Sequence, residues 1–261
     1  LMYQEHFKFK RQPFAEHAAV SSLWIDQRMK EALARLTYLV DHAALGLVTG
    51  PSGVGKSALL KCFLDKLPQR CEAVYCHLTH LPSSGLLKVL VAQMGEVPRR
   101  GKDRLFEQIY QAAKRVEGTL LLVIDEAHLL DGDALTDLRL LVSSALDVAP
   151  LKILLVGQHA LRAVLKRSQH ADLLNRINVQ YQLRPFTKEQ TGRYLDIQMK
   201  QAGGPEDVFD ASVKDLLHDF TGGIARQINN LATACLLQAC ARNVFRVDEA
   251  LFQQTTTEFH L

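Results

Sequence analysis

Tryptophan occurs once in the 261 residues, as Trp24, and no apolar run approaches the ~18 residues that a membrane-crossing helix needs. No membrane partner is therefore expected. The opening stretch, Leu1 to His6, lacks the basic-then-apolar form of a secretory signal, and a cytoplasmic location is expected. Cysteine is scarce and odd in number, with five residues at Cys62, Cys71, Cys76, Cys235 and Cys240. No two have Cys-x-x-Cys spacing, so a zinc ribbon or dithiol redox centre is not expected, and the thiols read as reduced and internal. An excess of one charge is missing too. The formal net charge is +3, so the field of the whole molecule does not require a nucleic-acid partner, and any such binding must come from a local patch. Repeats and low-complexity linkers are also absent.

What is present is an ordinary globular composition, 48% hydrophobic and 23% charged, with length enough for a nucleotide-binding core and a small second domain. Trp24, Ile25, Met29, Leu33, Leu36, Leu39 and Val40 recur at helical spacing, which predicts a helix over 24–40. Apolar runs predict strands over 45–49, 73–78, 119–124, 152–156 and 177–183. The run 119–124 is continuous, as in a strand buried on both faces. Between the strands, helices are expected over 56–67, 84–94, 103–116, 131–146, 159–167 and 170–175, with Asp131 or Asp133 as the N-cap of the fourth. This alternation predicts an α/β fold, a parallel sheet flanked by helices. After Pro185 the pattern becomes helical only, over 187–202, 210–219, 224–241 and 247–258, with glycine breaks at Gly203-Gly204 and Gly222-Gly223. The expected division is an arm and helix packing on the core (1–40), an α/β nucleotide-binding core (41–185) and a small all-helical lid (186–261).

The sharpest signal is Gly50-Pro51-Ser52-Gly53-Val54-Gly55-Lys56-Ser57, the Walker A pattern at every fixed position, between an apolar strand and a helix. A triphosphate needs concentrated backbone N–H groups and a helix N-terminus, and the glycines allow the chain to wrap it. Residues Gly50 to Ala58 are therefore the expected ATP-binding loop. Lys56 would reach the β- and γ-phosphates, and Ser57 would ligate Mg²⁺. A second signal is the apolar strand ending in Asp125-Glu126. Asp125 would hold Mg²⁺, mostly through its water shell, and Glu126 would polarise the attacking water as general base. The paired acids point to hydrolysis of ATP to ADP and phosphate.

With these motifs in place, the chain resembles the AAA+ ATPases, and within them the branch containing the secretion ATPase ExeA and the transposition regulators TnsC, MuB and IstB. The resemblance rests on His6 to Phe14, on Ile124-Asp125-Glu126-Ala127-His128, on Val156-Gly157-Gln158-His159-Ala160-Leu161, and on Gly222-Gly223-Ile224-Ala225-Arg226 continuing to Leu231. It implies that Gln158 is the polar sensor at the end of the fourth core strand. Arg226 would be the lid arginine that reads nucleotide state, and Arg176 the finger aimed at a neighbouring subunit's ATP, with Arg162 and Arg167 as rivals. Phe14 falls in the segment that often lines the adenine pocket, and packing of the arm is an equal alternative. Trp24 reads as core.

The resemblance leaves the task open. Secretion ATPases of this branch carry a membrane helix and a periplasmic region after the ATPase unit, and the 261 residues show neither. The expectation therefore leans to a transposition regulator that assembles with ATP on duplex DNA as a ring or helical homo-oligomer and recruits a transposase, with or without a target-selector protein. Hydrolysis would be slow and assembly-dependent. An ExeA-like secretion ATPase, or another DNA-associated AAA+ switch, is the alternative. Arg99, Arg100, Lys102 and Arg104 form the densest basic cluster, and Lys88 joins them as a candidate contact to DNA phosphates, indifferent to base sequence. Thr79 is a further candidate, with His80 beside it.

Overall fold

The computed structural model describes residues 2–15, 19–78, 83–145, 150–205 and 207–259. In chain order, α1 (Met2–His6) and α2 (Gln27–His42) precede β1 (Leu45–Thr49), α3 (Lys56–Asp65), β2 (Cys71–His77), α4 (Ser83–Gln93) and α5 (Lys102–Arg115). There follow β3 (Thr119–Asp125), α6 (Gly132–Ala145), β4 (Leu151–Gly157), α7 (His159–Leu165), α8 (Ala171–Asn175) and β5 (Val179–Gln182). The remainder is helical: α9 (Lys188–Ala202), α10 (Ala211–Thr221), α11 (Ala225–Ala241) and α12 (Glu249–Phe259). The predicted helix to Leu146 runs past the described residues at that end.

Two compact units result, one of Gln27–Gly50 and Lys56–Leu183, the other of Leu1–Asp26, Pro51–Gly55 and Arg184–Leu261. The first is the α/β unit. Its five strands are all parallel in the order β2-β3-β4-β1-β5. The three inner strands are almost wholly apolar and buried, while β2 and β5 at the edges alternate or are half-exposed. Parallel strands with helices on both faces have no solvated side, so near-continuous apolar runs are what the inner positions require. The main cluster gathers Leu45, Leu122, Ile124 and Leu155 with Leu87, Leu90, Ile109 and Leu138 of α4, α5 and α6. Asp131 caps α6, accepting the Ala134 N–H at 2.8 Å, one of the donors a helix start leaves without a partner.

The second unit is built on α9 to α12. Thr187 and Gln190 form a reciprocal capping box at the start of α9, which satisfies two of its orphan donors. Between α10 and α11 the chain turns through Gly222 and Gly223. A Cβ at Gly223 would lie 2.1 Å from the Phe186 carbonyl oxygen, and φ is +74°, so only glycine fits this close backbone approach. The N-terminal arm belongs here, contrary to the expectation that residues 1–40 pack on the core. Tyr3, Phe7, Phe9 and Phe14 share one apolar cluster with Phe186, Leu195, Met199, Leu231 and Phe252, and the Lys10 N–H donates to the Ala202 carbonyl at 2.8 Å. Four buried aromatic side chains outweigh proximity in sequence. Only α2, from Gln27, joins the α/β unit. Among the described residues no helix is long and apolar enough to cross a membrane.

Candidate nucleotide site

In the α/β unit the loop that follows β1 starts beside the end of β4, where the Gly50 N–H donates to the Gly157 carbonyl at 3.2 Å. Lys56, the first residue of α3, is only 6% exposed, and its Nζ donates to the Gly50 carbonyl at 3.0 Å. The two ends of the loop are thereby tied together. Ser57 is exposed on the first turn of α3 and Ala58 is half-buried. In the helical unit, the tip of the loop meets the start of α11. The Arg226 N–H donates to the Gly53 carbonyl at 3.0 Å, and a Cβ at Gly53 would stand 2.8 Å from the Arg226 Cβ, with φ at +74°. The Arg226 side chain itself is exposed, as is Ser52, while Pro51, Gly53 and Gly55 are half-buried and Val54 is buried. A buried ammonium, a helix N-terminus and a glycine-bearing loop suit a polyphosphate anion.

Asp125 ends β3 and is 2% exposed. Its Oδ1 accepts the Glu126 N–H at 2.9 Å, and its Oδ2 accepts the Tyr75 hydroxyl at 2.8 Å. Nδ1 of His77, paired opposite Asp125 across the β2–β3 ladder, lies 3.5 Å from Oδ2. Burial raises the Tyr75 hydroxyl pKa, and its hydrogen bond to Asp125 and the charges of Asp125 and Glu126 raise it further, so it is a neutral donor. Glu126 has left-handed backbone at φ 57°, outside the usual region for a residue with a Cβ. Strain of that kind costs about 1–3 kcal/mol and gathers at functional sites. The Glu126 carboxylate comes within 3.2 Å of Nδ1 of His128, without hydrogen-bond alignment. Gln158 follows β4 in extended backbone, half-exposed, with no side-chain cap to α7.

β1, β3 and β4 are neighbours and parallel. Their C-terminal ends bring Gly50, Lys56, Asp125, Glu126 and Gln158 to one edge of the α/β unit, the edge where such sheets bind ligands. Among the described residues no three His, Cys, Asp or Glu side chains form a metal cluster. Mg²⁺ in such sites is held by one or two protein ligands together with phosphates and water. Ser57 and Asp125 have the right chemistry, and Mg²⁺ would there neutralise phosphate charge.

The three arginines considered as fingers separate. Arg176 caps α8 ahead of β5, and the Asn178 N–H meets the carbonyl of Leu45 at the start of β1. Arg176 is therefore at the opposite strand end from Asp125. Arg162, on α7, hydrogen-bonds Gln182 at the C-terminal end of β5 at 3.3 Å, so it shares the edge with Asp125. Arg167 is exposed just after α7. Phe14, considered for adenine, is 5% exposed and packs against Tyr194 and Phe209 inside the helical unit. Trp24, expected in the core, is half-buried and packs against the apolar cluster of that unit, stacking on Phe186 and Tyr194.

The basic cluster is less uniform than its sequence. Lys88, Arg99, Arg100 and Arg104 are exposed. Lys102 instead neutralises Asp137, whose carboxylate is 5% exposed and lies 2.8 Å from Nζ. A buried carboxylate needs a paired cation, so Lys102 is withdrawn from the set of phosphate contacts. The loop carrying Arg99 and Arg100 is pinned by Gln108, which accepts the Arg99 N–H and donates to Glu96 and to the Val97 carbonyl. Thr79 and His80 lie outside the described residues. Tyr75 and His77 are missed from sequence, and His128 is there only a member of the motif after β3. Strand alternation puts Tyr75 and His77 on one face, but nothing in the sequence sets the register that brings them level with Asp125.

Residues 39–165 match the family model described as AAA domain. Over 258 residues the chain is 30% identical to General secretion pathway protein A of Aeromonas hydrophila, an alignment covering 94% of this chain and 46% of that protein. It is 31% identical over 105 residues to the ORC1-type DNA replication protein 8 of Haloarcula marismortui, covering 34% of this chain and 24% of that protein. The chain thus spans less than half the length of these curated relatives. The ORC2 protein of Aeropyrum pernix, solved as ADPNP-ADP complexes, has the same fold, with a TM-score of 0.71, 20% identity, and coverage of 96% of this chain and 72% of that one. Residues 39–165 thus carry an AAA domain, and the chain has the α/β fold of the AAA+ class.

Proposed function

We propose that this AAA+ module binds Mg²⁺-ATP at Gly50 to Ala58, hydrolyses it slowly, and uses nucleotide state to control assembly with copies of itself. The observation that carries the reading is the convergence of Lys56, Asp125, Glu126 and Gln158 on one sheet edge. Lys56 binds the β- and γ-phosphates, Asp125 and Ser57 hold the metal, Glu126 orients water and accepts its proton, and Gln158 positions that water or the γ-phosphate. Arg226 senses nucleotide from the lid. Arg176, at the far strand end from its own Asp125, is suited to act in trans.

The working role best supported is that of an ATP-driven assembly module for a secretion-type machine, because similarity to General secretion pathway protein A runs over 94% of the chain. The expectation of a transposition regulator leaned on the lack of membrane and periplasmic segments. That ground falls away when the chain spans 46% of this relative. A DNA-associated switch, of which a transposition regulator is one form, is the second reading. The ORC1-type relative and the exposed, pinned Arg99 and Arg100 favour it.

Single-turnover ATP hydrolysis and low-salt binding, each measured with and without duplex DNA, separate the two. ATP-dependent self-assembly that ignores DNA supports the secretion-type reading, whereas ATP-dependent DNA binding that speeds turnover overturns it in favour of the second.

A further inference from the structure

The acid expected to hold Mg²⁺ has its carboxylate fixed from the neighbouring strand. β2 is an edge strand, and its outward-alternating face carries Tyr75 and His77. The register pairs Tyr75 with Val123 and His77 with Asp125, so Tyr75 reaches Asp125 diagonally, a separation that a long aromatic side chain spans. Its hydroxyl donates to Oδ2 at 2.8 Å while the Glu126 N–H donates to Oδ1 at 2.9 Å. The hydroxyl bond has the ordinary length for its kind and is made to a carboxylate oxygen, the better class of acceptor. One donor on each oxygen fixes the carboxylate plane, and each oxygen keeps a lone pair for other partners.

We infer that Tyr75 is the positioning residue for Asp125: its hydroxyl orients the carboxylate that holds the metal's water shell. This rests on the proposed Mg²⁺-ATP site. A carboxylate free to rotate loses part of its grip on the metal, and outer partners of metal ligands typically change affinity by about 10–100-fold when removed. Tyr75 is 38% exposed, so taking off its hydroxyl leaves the ring in place and opens no large cavity. The bond also couples Asp125 to the sheet edge, which ties metal holding to the integrity of β2.

The test is binding of a fluorescent ATP analogue, mant-ATP, titrated with MgCl₂ and in EDTA, for the wild type, Tyr75→Phe and Tyr110→Phe. Tyr110 lies in the same unit, and among the described residues its hydroxyl makes only contacts of 3.4 Å. The expected result is a rise of roughly tenfold in half-saturating Mg²⁺ for Tyr75→Phe, with unchanged affinity in EDTA and no rise for Tyr110→Phe. A half-saturation unchanged within about twofold, a fall, or an equal rise in Tyr110→Phe overturns the inference while leaving the nucleotide site standing. If wild-type binding does not respond to Mg²⁺ at all, the inference and the site it rests on fall together.

Discussion

The Arg226 N–H donates to the carbonyl of Gly53 at 3.0 Å, so the first turn of α11 holds the tip of the phosphate loop. This contact gives the lid arginine a direct mechanical link to the loop through its own backbone. Gly53→Ala places a methyl group 2.8 Å from the Arg226 Cβ at a φ of +74°. The substitution is expected to cost about 1–3 kcal/mol and to weaken ATP binding. Thermal melting and nucleotide titration of the same variant check both effects.

Lys56→Ala is expected to abolish ATP binding. Glu126→Gln keeps the shape of the side chain and one acceptor oxygen but cannot accept a proton. It should preserve ATP binding and assembly while lowering single-turnover hydrolysis by at least about 100-fold. A Glu126→Gln variant that turns over normally would show that another group is the base.

The arginines make opposite predictions. Arg176→Ala should reduce turnover by about 10³-fold or more without weakening ATP binding. Mixing it with Glu126→Gln should restore part of the activity, because one variant supplies an intact site and the other an intact finger. Arg162→Ala, on the same strand edge as Asp125, should not regain activity in such a mixture. Rescue of Arg162→Ala but not of Arg176→Ala would exchange their roles.

Lys102→Ala leaves the buried Asp137 carboxylate without its cation. Because Lys102 is itself 43% exposed, the expected cost is moderated by solvent to roughly 1–3 kcal/mol. Arg100→Ala, fully on the surface, should change stability by less than about 0.5 kcal/mol. If the module binds DNA, Arg100→Ala should weaken that binding and Lys102→Ala should act through stability alone. Chemical denaturation beside DNA titration checks the pair.

His170 is 3% exposed. Burial, helped by the charge of Arg167, pushes its pKa below the ordinary value. The unfolded chain then binds this proton more readily than the folded one, so His170 adds nothing to pH dependence well above about 6.5 and lowers stability as the pH drops through that value. His170→Gln should flatten the fall of Tm between pH 7 and pH 5, measured by thermal melting in a buffer series.

Much of this was readable from residues in order. Short apolar strands, Pro68 after α3, the Asp131 cap and the Gly222-Gly223 break are local signals, and they mark the elements to within a few residues. The phosphate loop and the Asp125-Glu126 pair were legible because their chemistry needs fixed spacing. What failed was long-range. The helix expected from Trp24 begins at Gln27, because Trp24 serves the aromatic stack of the other unit and only its spacing looked helical. Lys102 read as a surface cation because its partner lies 35 residues away. Tyr75 was invisible because its role depends on strand register, which neighbouring residues do not encode.

Completion of the site by a neighbouring copy makes ATP turnover per subunit depend on protein concentration, and that dependence is the decisive measurement. A steep rise with concentration is expected, following ATP-dependent assembly measured in parallel by light scattering. A per-subunit rate that is constant from dilute monomer to assembled protein would contradict it.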